Sequence, residues 1–263
     1  MNTKVEKKLE ENLENFGPVW SFWKTMGISL LIIVVGNVFV QFLIIVIHLL
    51  VNFVSLNHLP SSFSVIQKYT GELFQKSYVI SESILISDFF SLLMILYFVS
   101  KKNKINMIGY LGFNNARPVS FIVWQIVMIA FFYGTNFIAS QTSIEEPEFM
   151  RMMRDMLRMD SFGSLALMLA AVVVAAPLFE EIMFRGFMYT GILKSRLGIF
   201  GAILIPSIIW SLIHAQYEII WIVMIFFTGL MFTLARYQTG SIYTVIAMHA
   251  VNNFLSFVDV IQK

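Results

Sequence analysis

Residues 177–186 read Pro-Leu-Phe-Glu-Glu-Ile-Met-Phe-Arg-Gly, so two adjacent carboxylates, Glu180 and Glu181, stand inside an otherwise apolar run. On a helix Glu181 and Arg185 lie four residues apart on one face, with the acid before the base, which is the favourable order for an ion pair. Glu180 is turned by about 100° from that face and has no cation at the same spacing. The pattern predicts a paired, structural Glu181 and a Glu180 that faces a cavity.

The apolar run around this segment covers about 162–193, long enough for a helix to cross a bilayer. The whole chain of 263 residues has this character, with 58% hydrophobic residues, 13% charged residues and a mean hydropathy of +0.77. Soluble domains carry about 25% charged residues, so the composition excludes an ordinary soluble enzyme and a disordered chain. Cysteine is absent, which excludes a disulfide scaffold, a thiolate metal site and a cysteine nucleophile. The net charge of +2 indicates no nucleic-acid partner.

Seven apolar stretches are long enough to cross or nearly cross a membrane. They predict an all-α, polytopic transmembrane helical bundle of about seven spans, and a count of six or eight is also compatible with the pattern. The fourth stretch contains Pro177 and is either one helix or two helical pieces. The fifth stretch is short and contains Pro206. The stretches lie near 26–54, 78–100, 119–140, 162–193, 199–215, 217–236 and 241–261.

The distribution of positive charge predicts the orientation. With the N-terminus inside, the inner segments hold 11 lysines and arginines and the outer segments hold 6, with Arg185 left inside a span. This bias predicts a multi-pass protein of the cell membrane with a cytosolic N-terminus. We divide the chain into a cytosolic or interfacial segment (1–25), a region of N-terminal spans with a surface helix (26–160) and a C-terminal core (161–261). Within the second region, 145–160 is typical of an amphipathic surface helix or a solvated linker helix.

Two further polar motifs lie in the C-terminal core, Trp210-Ser-Leu-Ile-His214 and His249-Ala-Val-Asn-Asn253. Ionisable groups inside a membrane cost about 2.5 kcal/mol or more, so they are retained when they are paired, hydrated or functional. If the three motifs converge, two mechanisms of peptide hydrolysis are open. In one, Glu180, His214 and His249 hold a zinc ion with an open position for water. In the other, which needs no metal, Glu180 and His214 activate a water while His249 and Asn253 stabilise the oxyanion.

The first two spans carry polar residues that we interpret as structural or solvated, as we do His58 in the following loop. Their side chains are expected to pair with each other or to line a hydrated cavity. Asp88 lies deepest in its span, and the others in the spans are Asn37, Gln41, His48 and Glu82.

The three motifs together resemble those of the CPBP family of intramembrane proteases, named for CAAX proteases and bacteriocin processing and also called the Abi family. The resemblance covers about 177–253, and the motifs follow each other in the family's order. The second motif usually begins with Phe, and the tryptophan here keeps an aromatic ring at that position. The motifs stand as Glu180-Glu181-x-x-x-Arg185, Trp210-x-x-x-His214 and His249-x-x-x-Asn253.

The resemblance implies the all-helical type II CAAX endopeptidase fold and makes 161–261 the catalytic core. It implies a peptide or membrane-protein substrate, in roles such as bacteriocin maturation, self-immunity or signal-peptide processing, and leaves both the metal-dependent and the glutamate-dependent mechanism open. It also assigns a catalytic set with two supporting residues. The catalytic set is Glu180, His214, His249 and Asn253, and the supporting residues are Glu181 and Arg185.

Two other functions remain open at the level of sequence. A non-catalytic immunity protein or scaffold would keep the same fold and motifs without turnover. A proton-coupled transporter would use Glu180 and the histidines as a relay, although the chain has no inverted repeat to support it. The composition, rich in lysine, isoleucine and phenylalanine, is typical of a low-GC bacterium, in which a prenylated substrate is not expected. Besides a substrate, the bilayer is the expected partner, and the oligomeric state is not indicated.

Overall fold

The computed structural model describes residues 17–55, 62–103, 106–142, 144–158 and 160–262, so His58 and the segment before residue 17 lie outside the described residues. The described chain is helical and contains no strand, which confirms the predicted all-α bundle. Its helices are α1 Phe22–Ser55, α2 Phe63–Phe74, α3 Ser77–Lys102, α4 Met107–Leu111, α5 Pro118–Ser140, α6 Glu148–Arg158, α7 Phe162–Leu193, α8 Gly198–Leu212, α9 Ile219–Thr239 and α10 Ile242–Gln262.

Six of the described helices are long and apolar enough to span a bilayer, namely α1, α3, α5, α7, α9 and α10. The seventh predicted span is α8, which has 15 residues. At 1.5 Å per residue it is about 22 Å long, less than the ~30 Å hydrocarbon core. The described bundle therefore has six full spans and one short apolar helix, which lies within the predicted range of six to eight spans. The outer faces of α1 and α5 carry many exposed apolar side chains, as expected of surfaces that meet lipid.

Helix α7 is the central element of the bundle and packs against α1, α3, α4, α8, α9 and α10. Every residue from 181 to 193 is buried, because the sequence there is apolar on all sides apart from a few paired polar groups. The cluster around it joins buried side chains from most of the other helices. The site residues on α7 therefore lie at the centre of the protein.

Pro177 does not divide α7 into two pieces. The backbone N–H of Ala176 bonds to the carbonyl of Ala171, five residues back, in a π-helical segment over Ala170–Ala175. In this register the carbonyl of Val172 would accept from residue 177, but proline has no N–H. The side chain of Asn253 on α10 supplies the missing donor, with Nδ2 at 2.9 Å from the Val172 oxygen. The helix continues through the proline because α10 satisfies the carbonyl that the proline leaves free.

The loops gather at two opposite ends of the bundle. At one end, which we call the Lys194 side, Lys194 Nζ donates to the carbonyl of Gly17 at 2.8 Å and the N–H of Ile242 donates to the carbonyl of Gly112 at 2.8 Å. At the other end, the Glu218 side, the N–H of Glu148 donates to Glu218 Oε1 at 3.1 Å. The described loops and helix ends of the Lys194 side carry lysines and arginines but no Asp or Glu.

Helix α6 lies on the Glu218 side and corresponds to the amphipathic helix predicted over 145–160. Its apolar face buries Met153, Met156 and Leu157 against Met168 of α7 and Val260 of α10. Its polar face holds exposed charges, which is the pattern of a helix packed along one side. The structure confirms a helix with one apolar and one polar face, which packs on the two spans that carry the first and third motifs, and its placement on the membrane surface stays a prediction.

Candidate active site

Glu181 connects two helices of the site. Its Oε1 accepts from Arg185 Nη1 at 3.0 Å, which is the predicted ion pair, and from His249 Nδ1 at 2.8 Å. Glu181 and Arg185 are fully buried, so these donors provide the stabilisation that water would otherwise give to the carboxylate. Sequence reasoning paired His249 with Asn253 instead, which the contacts do not show. The Glu181–His249 contact joins residues 68 positions apart and leaves no periodic signal in the sequence.

The Arg185 guanidinium is held by α9 as well. Its Nη2 donates to the carbonyl of Gly229 at 3.2 Å, its Nε lies 3.4 Å from Thr233 Oγ1, and its carbon lies 4.7 Å from the centre of the Trp210 ring. A Cβ on Gly229 would approach the Trp210 ring to 3.1 Å and Arg185 Nη2 to 3.2 Å, so a side chain here would crowd both groups. The charge is thus packed between an aromatic face and a helix backbone.

Glu180 points away from this ion pair, as its position on the helix predicts. The indole Nε1 of Trp210 donates a short hydrogen bond to Glu180 Oε2, and no other hydrogen bond to Glu180 occurs among the described residues. The Trp210 ring also stands edge-on to the rings of His214 and His249, with centroids 4.9 and 5.4 Å away. Trp210 therefore brings the three motifs together, with one carboxylate oxygen of Glu180 uncommitted.

His214 lies just beyond the end of α8. Its Nδ1 is 2.7 Å from the carbonyl oxygen of Trp210, and because a carbonyl only accepts, Nδ1 carries the proton. In the neutral ring Nε2 is then a free acceptor. The backbone bond of the turn fixes which ring nitrogen is available for chemistry.

Tyr217 packs beside His214, with ring centroids 6.3 Å apart, and sequence reasoning did not single it out. Its hydroxyl donates to Met150 Sδ of α6 at 3.6 Å, and its ring meets Phe149 at 5.3 Å. Burial raises the pKa of Tyr217 to about 12, and the negative charge of Glu180 adds to the effect. Helix α6 therefore covers the edge of the site through this tyrosine, and an aromatic residue three positions after His214 was the one sequence signal of it.

Asn253 uses Nδ2 to donate to Val172, as described above, and its Oδ1 accepts from Asn252 Nδ2 at 3.2 Å. The structure thus places Asn253 next to α7 but in a contact with the backbone. One of its two N–H groups is committed there, so the predicted role in stabilising an oxyanion relies on the other.

The polar residues of the first two spans pair with each other, as interpreted from the sequence. Asn37 Nδ2 donates to Asp88 Oδ1 at 3.0 Å, Gln41 Nε2 donates to Asn37 Oδ1 at 3.0 Å, and His48 contacts Glu82 at 2.9 Å. Asp88 is 3% exposed, and its helix α3 packs against residues 176–181 of α7. A second buried acidic side chain therefore lies on a helix that contacts the segment of the two glutamates.

The arrangement does not fit the predicted zinc site. Within the described part of the chain, no group of three or more histidine, aspartate and glutamate side chains is close enough to hold a metal ion. Glu180, His214 and His249 each contact Trp210 and do not form a common ligand set. We therefore derive no step through a metal.

The fold and the site define a class, a multi-pass helical membrane protein with a carboxylate and two imidazoles gathered inside the bundle. Residues 162–255 match the family model described as type II CAAX prenyl endopeptidase, Rce1-like. This segment runs from the start of α7 into α10, contains all three motifs and is similar to the Rce1-like domain. At the level of the family, the match supports a CAAX-protease-like intramembrane endopeptidase. Comparison with curated proteins and with solved structures gave no match.

Proposed function

We propose that this protein is an intramembrane endopeptidase that hydrolyses a peptide bond of a membrane-associated protein or small peptide. The observation that carries the proposal is the contrast between the two adjacent glutamates. Glu181 is fully buried and its Oε1 is bonded to the Arg185 cation and to His249, whereas Glu180 is only partly buried, pairs with no cation among the described residues and keeps one oxygen free beside the Trp210 and His214 rings. A carboxylate with a free oxygen in a largely apolar site is suited to general base catalysis.

In the proposed reaction Glu180 takes a proton from a water molecule as the water oxygen attacks the carbonyl carbon of the peptide bond. The carbon–nitrogen bond then breaks, and the proton moves from Glu180 to the leaving amine. The products are a new carboxylic acid, which keeps the second proton of the water, and a new amine; transfer of that proton to the amine gives a carboxylate and an ammonium, and Glu180 returns to its starting form. This sequence uses one carboxylate as base and then as acid.

His214 would orient the water, because Nδ1 is fixed on the Trp210 carbonyl and Nε2 is an acceptor. His249 is held by Glu181 in the same way and presents Nε2 beside Trp210. Glu181 and Arg185 would act as positioning residues, since each joins α7 to another helix. Asn253 would support the site through its contact with α7 and its second N–H.

The depth of the site favours a substrate within or at the membrane. Glu180 lies about 20 Å along α7 from the helix end at Leu193, using 1.5 Å per residue. A path from the Lys194 side would therefore run between helices, as an extended segment of a membrane protein or a small hydrophobic peptide could follow. We propose the cell membrane of a bacterium as the location and the maturation of a bacteriocin-like or signal peptide, or self-immunity, as the role.

The test compares cells that express the wild-type protein, Glu180→Gln or Glu82→Gln at matched membrane levels. Quantitative terminomics of membranes and medium would report new peptide termini. We expect termini that depend on wild type and persist with Glu82→Gln, and a decrease of about 10²–10⁴-fold in their formation rate with Glu180→Gln. Identical profiles for wild type and Glu180→Gln, with the cellular phenotype preserved, would refute catalysis and favour a non-catalytic immunity protein or scaffold.

A further inference from the structure

A cavity of about 540 Å³ opens on the Lys194 side, away from the candidate active site. It lies where the start of α1, the end of α3 and the end of α7 meet. Its size falls within the range of sites that hold small ligands. Four cations line it, Lys24, Lys102, Lys194 and Arg196, and none of its described lining residues is acidic.

The cations are not neutralised by carboxylates of the described chain. Lys24 and Lys102 both lie over the ring of Trp20, with Nζ 5.7 and 5.4 Å from its centre, and Lys194 donates to a backbone carbonyl. Partial burial lowers the pKa of Lys194. This is the effect expected when a cation loses water and gains no nearby negative charge in exchange. Like charges gathered in a concave surface attract an anion.

The start of α1 adds to the same field. Ser21 precedes the helix in an extended conformation and makes no side-chain cap, so the first N–H groups of α1 lack a side-chain acceptor. Ser21 and Phe22 both line the cavity, so the positive end of the helix dipole faces the same space as the four cations. Positively charged side chains and free backbone N–H groups can therefore contact the same bound anion in this cavity. This arrangement suits a phosphate.

The surroundings point to a lipid as the source of that phosphate. The cavity lies at the ends of three spans, and Trp23 beside it is 81% exposed, as an aromatic residue at the membrane interface would be. Cation clusters next to spans bind the headgroups of anionic lipids. We propose that this cavity binds the phosphate-bearing headgroup of an anionic phospholipid and so holds α1 against α7.

The experiment titrates the purified full-length chain in neutral detergent with phosphatidylglycerol or phosphatidylcholine and counts retained lipids by native mass spectrometry. We expect phosphatidylglycerol to bind more tightly, Lys102→Gln and Arg196→Gln to weaken it about five-fold each, and the double variant to weaken it about 25-fold. Lys101→Gln is the matched control, because it removes the same charge from the neighbouring residue, whose ammonium lies over Tyr97 and does not line the cavity. It should change binding by less than two-fold.

Three outcomes would overturn the proposal. Equal affinity for both lipids would show that the negative charge of the headgroup is not recognised. Equal losses of phosphatidylglycerol affinity in the Lys101 and Lys102 variants would indicate an effect of general surface charge rather than of this cavity. Displacement of phosphatidylglycerol by glycerol 3-phosphate at equal concentration would indicate a soluble phosphate ester as the occupant. Thermal midpoints identify any variant that fails to fold. The Glu180→Gln protein should bind the lipid as the wild type does, so lipid binding and catalysis are tested separately.

Discussion

At the scale of single residues, Glu181 is the group on which the buried site depends. Replacing Glu181 by Gln removes the charge that compensates Arg185 and leaves a buried guanidinium without an anion. We expect the free energy of unfolding to fall by about 3–5 kcal/mol, with a parallel loss of activity. Thermal or denaturant unfolding in detergent would measure it.

Glu180→Gln is the matched control for this change, since it alters the neighbouring carboxylate in the same way. Its amide oxygen still accepts from Trp210 Nε1, so stability should remain close to that of the wild type while activity is lost. If Glu181→Gln were as stable as the wild type, the assignment of structural and catalytic roles to the two glutamates would be wrong.

The Glu181–Arg185 pair could be predicted from the sequence because helix geometry alone places residues i and i+4 together. The same argument showed that Glu180 points elsewhere. Nothing local indicates that His249 reaches Glu181 or that Trp210 reaches Glu180, because both contacts depend on how α8 and α10 pack against α7. Sequence reasoning therefore selected candidate residues that the fold brings near one another, but it did not give the partner of each one.

At the scale of elements, the continuity of α7 depends on a contact across helices. Asn253→Ala removes the donor to Val172 and should cost about 1–3 kcal/mol, the effect of leaving a buried carbonyl unsatisfied. Pro177→Ala returns a backbone N–H that can bond to the same carbonyl. In the Pro177→Ala background, Asn253→Ala should lower the free energy of unfolding much less than it does in the wild type. The double-mutant cycle should therefore show coupling between residues 177 and 253. Additive losses of stability in the cycle would mean that the proline and the amide do not share this carbonyl.

Helix α6 is held to the Glu218 side by a contact that depends on pH. The hydrogen bond from the backbone of Glu148 holds the pKa of Glu218 below its usual range. The contribution of Glu218 is therefore fully present above the ordinary glutamate pKa of about 4.3 and is lost as the pH falls through the lowered value of the folded state. We expect the first turn of α6 to lose protection from hydrogen exchange below that ordinary pKa, while the buried apolar face of the helix stays packed.

Hydrogen exchange of the α6 amides, followed by mass spectrometry at several pH values, would detect this loss of protection. Glu218→Gln is the control, because its amide oxygen still accepts from Glu148 but does not titrate. In acid, the α6 amides of the wild type should be less protected than those of Glu218→Gln. Comparing the two proteins at the same pH cancels the intrinsic pH dependence of hydrogen exchange. Equal protection in both proteins at every pH would show that Glu218 does not control α6.

At the scale of the whole molecule, length and hydropathy were sufficient to predict a bundle of spanning helices, because the bilayer fixes how long an apolar helix must be. The same criterion left α8 undecided, because its apolar stretch is short and is bounded by a turn at His214 rather than by charged residues. The pattern also gave no sign that α7 is central, since an apolar helix facing protein and one facing lipid have similar composition. What distinguishes α7 is the cluster of paired polar groups along 180–185.

The orientation in the membrane is the last prediction, and the absence of cysteine makes it directly testable. Single cysteines introduced at Ser195 on the Lys194 side and at Thr142 on the Glu218 side would be treated in intact cells with a membrane-impermeant maleimide. The excess of cations on the Lys194 side predicts that this side faces the cytosol. Thr142→Cys should therefore be labelled in intact cells and Ser195→Cys after permeabilisation. The reverse pattern would place the cavity and its four cations outside the cell, where the anionic lipid of the cytoplasmic leaflet could not be its ligand.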